Sequence, residues 1–292
     1  WYYQFHHGID RENPGIDIID QIHGVGPMVD EGDMTHWKNM NEYLNDFSMK
    51  DQEHYDYIKT QMDLQNFIAY VGHCIILVKW DWPRRNEASW RPRTPEGKWR
   101  WIQFDMESCV GLATTYNNPQ YAFLGPHYNM FRHVIKGHPI PFFDPFGPHP
   151  ILVKLLENEE FKSDFIKWFE EKLETDFSSQ RMNSVLEEMV TELEPYMPEH
   201  LKRWPYNSES MEDWAAQLDV IRDFVTRRPG FVKEHLADYL ATGLVEKNMP
   251  DIKQYKLYQN HPNPSNPTTQ IAFDIPTSAN VKLHIFNTRG QL

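Results

Sequence analysis

Apolar residues recur at every fourth position through Phe161, Phe165, Phe169, Leu173 and Phe177, which predicts a helix with one face in a core. A second stripe runs through Met182, Leu186, Met189, Leu193 and Tyr196. A third, Trp214, Leu218, Ile221 and Phe224, should end near Arg228-Pro229-Gly230, because proline has no backbone N–H to donate. Residues 150–240 therefore read as a helical subdomain. Upstream, NFIAYVGHCIILV (residues 66–78) carries no acidic residue, lysine or arginine and reads as a buried helix capped by Asp63. It is too short for a bilayer, which takes about 20 apolar residues. Scattered aromatics between residues 40 and 57 (Tyr43, Phe47, Tyr55) in a polar background suit surface helices.

The period changes after Pro83. TPEG (residues 94–97) reads as a turn, and KWRWIQFD alternates behind it. Trp99, Trp101 and Gln103 fall on one face of the predicted strand; Arg100, Ile102 and Phe104 fall on the other, up to Asp105. Residues 1–35 read as extended or looped. Residues 116–150, rich in Pro, Gly and His, read as a long loop over the surface or over a site. Past residue 250 two alternating runs, TTQIAFDI and NVKLHIFN, flank PTSA, the pattern of a hairpin in a β-sandwich. The expected fold is α+β: a mainly helical domain with a short β-hairpin over residues 1–250, then a partial β-sandwich module over 251–292.

Composition narrows the function. The 292 residues are 40% hydrophobic, enough for a sizeable core, and the net charge of -13 disfavours nucleic acid as a partner. Cys74 and Cys109 match no zinc-ligand spacing and are expected to be buried free thiols. Trp80, Trp82, Trp90, Trp99 and Trp101 are expected to pack in the core under Arg91, Arg93 and Arg100. His127, His133, His138 and His149 read as ordinary loop histidines. No leader or membrane span is visible, and a chain opening on Trp1 reads as a piece of a longer protein.

KWDWPRRN (residues 79–86) carries the chemistry. Asp81 and Asn86 have the D-x-x-x-x-N spacing of kinase catalytic loops, in which the Asp receives the proton of the acceptor hydroxyl and the Asn holds magnesium. Asp105, at the end of the next predicted strand, suits a further magnesium ligand. Carboxylate and amide oxygens are the donors that a hard cation prefers. The bland alternative is a helix-terminating turn in which Asp81 caps backbone N–H groups.

DLQNFIAYVGHCIILVKWDWPRRNEASWRPRTPEGKWRWIQFDMESCVGL, with the helical stretches to about residue 235, resembles the CotH family of atypical secreted protein kinases. The resemblance implies the C-lobe of an atypical kinase, with Mg2+ and ATP as cofactors. It implies Asp81 as the catalytic aspartate and Asn86, Asp105 and Glu107 as metal ligands. Two positions depart from the family's pattern: Glu107 replaces the second Asp of a D-x-D pair, and Lys79 replaces an Asn. Nothing in residues 1–66 resembles the phosphate-covering loop or the nucleotide-pairing lysine, so the N-lobe is expected to be missing. The tail, YQNHPNPSNPTTQIAFDIP followed by VKLHIFNTRGQ, is similar to the C-terminal sorting domains of type IX secretion substrates. That implies export to the cell surface or medium by the type IX machinery. The functional expectation is phosphoryl transfer from ATP to Ser/Thr of a surface or coat protein; the alternative is a catalytically inactive surface scaffold.

Overall fold

A computed structural model describes residues 8, 15–20, 26–83, 85–107, 109–112, 124–137, 148–204, 210–242, 256–257 and 273–274. The chain divides into two compact units, Trp1–Val245 and Glu246–Leu292. In chain order the first unit runs β1 (Ile16–Asp20), β2 (Met28–Glu31), α1 (Thr35–Asp46), α2 (Gln52–Gln61), α3 (Leu64–Leu77), β3 (Ala88–Pro92) and β4 (Arg100–Ile102). It continues with α4 (Met130–Lys136), α5 (Pro150–Leu155), α6 (Glu159–Glu174), α7 (Ser179–Leu193), a 3-10 turn, α8 (Met197–Arg203) and α9 (Met211–Thr242). In the second unit β5 (Lys256–Leu257) pairs antiparallel with β6 (Phe273–Asp274); the rest of the expected β-sandwich lies outside the described residues.

The α+β class holds, but the sheet is larger than one hairpin. Four antiparallel strands lie in the order β2-β1-β3-β4, so the N-terminal residues read as extended or looped supply half the sheet. β4 is shorter than the predicted strand: it ends at Ile102, not Asp105, and Trp99 bridges to Met62 instead. The three arginines expected over the tryptophan faces go to carboxylates. Arg91 and Arg93 reach the buried Asp17, and Arg100 reaches Asp63, whose Oδ1 also accepts the Asn66 N–H to cap α3. A carboxylate offers a cation more than an indole face does when both are near.

The main core lies between α3 and α6. Phe161, Phe165, Phe169 and Leu173 are all buried, as the four-residue period requires. Gly72 lets α3 meet α6 closely, since a Cβ there would stand 2.1 Å from the Trp168 ring. Tyr55 and Ile58 of α2 are also in the core, so α2 is more than a surface helix. Only the start of the second stripe is core: Met182 is buried and Leu186 packs against the core, whereas Met189, Leu193 and Tyr196 are 55%, 51% and 70% exposed, because nothing described covers that end of α7.

Pro229 does not end its helix. α9 continues through it to Thr242, with Phe224, Val225, Val232, Leu236 and Tyr239 buried along one face. Arg228, completely buried, anchors the helix beside the proline. Its guanidinium donates to the carbonyls of Ile75 (2.6 Å) and Ile76 (2.9 Å) at the end of α3, and to those of Pro126 and Tyr128 (both 2.7 Å). Packing and four hydrogen bonds outweigh the one backbone bond that the proline removes.

Two of the expected loop histidines are structural instead. His133 lies in α4, with Nδ1 3.1 Å from the Tyr128 hydroxyl, and His149 caps α5 by accepting the Leu152 N–H at Nδ1. His138 lies outside the described residues. Both cysteines are free and buried, and burial pushes each thiol up to about 12. Among the described residues no helix is long and apolar enough to cross a membrane.

Candidate active site

α3 delivers the site. It ends at Val78, which takes a left-handed conformation (φ 57), and the Lys79 N–H closes the helix on the Cys74 carbonyl at 3.0 Å. The chain then reverses through Trp80, Asp81 and Trp82 into a cis Trp82–Pro83 peptide. Among the described residues the non-glycines with positive φ are Val78, Asn86, Asp105 and Val110. All four border this turn or the strand end facing it, and the Val110 N–H returns to the Leu77 carbonyl at 2.9 Å. Such conformations cost roughly 1 kcal/mol or more for residues with a Cβ and concentrate at functional sites.

Asp81 and Asn86 meet as their spacing predicted. The Asn86 Nδ2 donates to Asp81 Oδ2 at 2.5 Å, leaving Asp81 Oδ1 and Asn86 Oδ1 for a ligand. Burial pushes the Asp81 carboxyl above its ordinary value; the charge of Lys79 opposes that and the charge of Asp105 adds to it. Asp105 is therefore near enough to act on Asp81 electrostatically, and it is exposed. Glu107, two residues on, is also exposed; no contact ties it to Asp81 or Asn86, so its assignment as a metal ligand rests on the resemblance alone.

Two further side chains organise the turn: Lys79, which the sequence marked only as a departure from the family's pattern, and Glu87, which it did not single out. Lys79 is completely buried, and its ammonium donates to the Asn86 carbonyl at 2.7 Å and the Phe104 carbonyl at 2.8 Å. Glu87 is the second. Its Oε2 accepts from the Trp82 indole at 2.9 Å, its Oε1 from the Trp101 indole at 3.2 Å, and His149 Nε2 stands 3.3 Å from Oε2. Burial pushes the Glu87 carboxyl up, but His149 and the two indoles more than offset it and leave the group below its ordinary value. No local pattern in the sequence marks Glu87, because its partners Trp82, Trp101 and His149 meet only in the fold.

Among the described residues no three His, Cys, Asp or Glu side chains gather into a metal cage. Magnesium does not ask for one: it is commonly held by one or two protein carboxylates, with water and substrate phosphate completing its shell. The oxygens offered by Asp105 and Asn86 Oδ1 fit such a cation chemically. A cleft of about 270 Å³ opens elsewhere, at the β3–β4 turn between Trp90, Thr94, Lys98 and Arg100, and none of the four predicted residues lines it.

A family model described as "CotH kinase protein" matches residues 20–232. No curated protein and no solved structure matches the chain.

Proposed function

The chain belongs to the CotH kinase family, and from that premise we propose that it transfers the γ-phosphoryl group of Mg·ATP to a serine or threonine hydroxyl of a surface or coat protein. The observation that carries the reading is the Asp81–Asn86 pair, held on a strained turn beside Asp105. In transfer, the acceptor oxygen forms a bond to phosphorus while the bond to the ADP oxygen breaks, and the hydroxyl proton passes to a base. Asp81 Oδ1 is that base, since Asn86 occupies Oδ2. The Asn86 amide also fixes the carboxylate's rotation, so its free oxygen faces the acceptor. Asn86 and Asp105, with Glu107 beyond them, would hold the magnesium ion. When bound, the ion supplies charge neutralisation on the phosphates.

The C-terminal tail supports a place of action at the cell surface or in the medium, reached through type IX secretion. Its YQNHPNPSNPTTQI run is the reason, by similarity to sorting domains.

The test is phosphotransfer from labelled ATP to Ser/Thr-containing surface proteins by the complete gene product, with and without magnesium. Asp81→Asn should reduce transfer by about 10²- to 10⁴-fold, the range typical for loss of a general base. Full transfer by that variant defeats the assignment. Magnesium-dependent nucleotide binding with no turnover in the wild type points to the scaffold reading.

A further inference from the structure

The β3–β4 ladder runs Trp90↔Arg100, Ser89↔Trp101 and Ala88↔Ile102, and then stops. Continued in the same register, two residues further on, it would pair Asn86 with Phe104. That pairing does not form: Asn86 (φ 51) and Asp105 (φ 54) turn the two segments out of strand conformation. The carbonyls left at that missing rung are the two acceptors of Lys79, at 2.7 and 2.8 Å. The ammonium lies 5.0 Å from the centre of the Phe104 ring. A lysine whose side chain is fully buried, and whose donors go to backbone carbonyls, is acting as a strut.

We propose that Lys79 is the positioning residue of the site, its ammonium replacing the missing rung and setting the Asn86 turn against the segment after β4 that carries Asp105. The device suits ligand binding. A backbone rung would hold both segments in extended conformation and turn the side chains of successive residues to opposite faces. With a lysine in its place, both segments leave the ladder, and the strut uses no side-chain oxygen. Asp81 Oδ1, Asn86 Oδ1 and the Asp105 carboxylate stay free. That Lys79 thereby sets Mg·ATP affinity rests on the kinase reading; the strut itself rests on geometry alone.

Two measurements on the full chain separate these claims. In Lys79→Met, hydrogen exchange of the amides at residues 87–88 and 104–106 should rise together by about tenfold or more, with α6 unchanged. In the same variant KM for Mg·ATP should rise by about tenfold with kcat within about threefold, because displaced ligands weaken nucleotide binding, whereas a loss of folded protein lowers kcat alone. Lys79→Gln, which keeps donors for at least one carbonyl, should fall between Met and wild type in both measurements. Should neither variant fold, the wild-type ammonium decides: a slowly exchanging lysine NH3+ resonance with nuclear Overhauser contacts to residues 86 and 104 is expected. Unchanged exchange at both segments or the absence of that resonance overturns the strut, and a kcat loss without any KM change overturns its role in nucleotide affinity. A wild type without phosphotransfer removes the kinase reading, and the exchange and resonance measurements then decide the strut by themselves.

Discussion

Burial raises the Asp81 carboxyl above its ordinary value, and the consequence has a definite sign. A carboxyl with a raised folded value favours the fold most below the ordinary aspartate pKa. That contribution is lost as pH climbs through the raised value. At neutral pH the ionised carboxylate is therefore a cost to folding, borne, under the proposed function, by the base of the reaction. Asp81→Asn should leave stability at pH 7 equal or higher in urea unfolding even as it lowers the proposed transfer. The acid limb of the wild-type pH–rate profile should lie above the ordinary aspartate range, since only the ionised base works. Glu87 has the opposite sign. Its lowered value adds stability that is present above the ordinary glutamate pKa and lost as pH falls through the folded value. Glu87→Ala leaves the indole N–H groups of Trp82 and Trp101 buried without acceptors, and should cost about 2–5 kcal/mol in urea unfolding at pH 7. The Asp81–Asn86 pair was legible in the sequence because its spacing spans a single turn. The Lys79 strut was not, because its two acceptors are backbone atoms 7 and 25 positions away, and carbonyls have no sequence signature.

α9 shows how far a local rule carries. Proline breaks helices by removing one donor and crowding the preceding turn, and the chain around Pro229 gave no local reason to expect otherwise. The compensation comes from α3, 152 positions away in the Arg228–Ile76 contact. Burial pushes the Arg228 guanidinium down to about 9, still above neutrality, so a cation faces the carbonyl end of α3, where the helix dipole favours it. Arg228→Met leaves four carbonyls without their donors and should cost about 3–5 kcal/mol, read as a fall in thermal midpoint. Arg228→Lys should not restore it, because an ammonium offers three donors from a point and cannot span four acceptors. α3 ends at the turn holding Asp81, so both variants should also reduce nucleotide affinity.

The two compact units predict a simple separation. The core residues of the first unit all precede Val245, so a chain ending there should unfold at the same temperature as the full chain, within about 2 °C. The same truncation should abolish export if the tail is a sorting signal, which fractionation of an expressing cell would show. With a net charge of -13, the chain should also show no salt-dependent retention on nucleic acid.

Periodicity was sufficient for the buried face of α6, for the cap of α3 at Asp63, and for the class of the fold. Each depends on neighbours within a few positions, where side-chain spacing and backbone geometry are tied together. Motif spacing was sufficient to bring Asp81 to Asn86. Periodicity could not say that α9 survives Pro229, that α7 leaves Met189 and Leu193 in solvent, or that β1 and β2 complete the sheet. Nor could it say that a buried lysine stands in for a rung of that sheet. Those outcomes were fixed by groups that meet only once the chain has folded, when the alternative for each buried carbonyl or indole was to go without a partner.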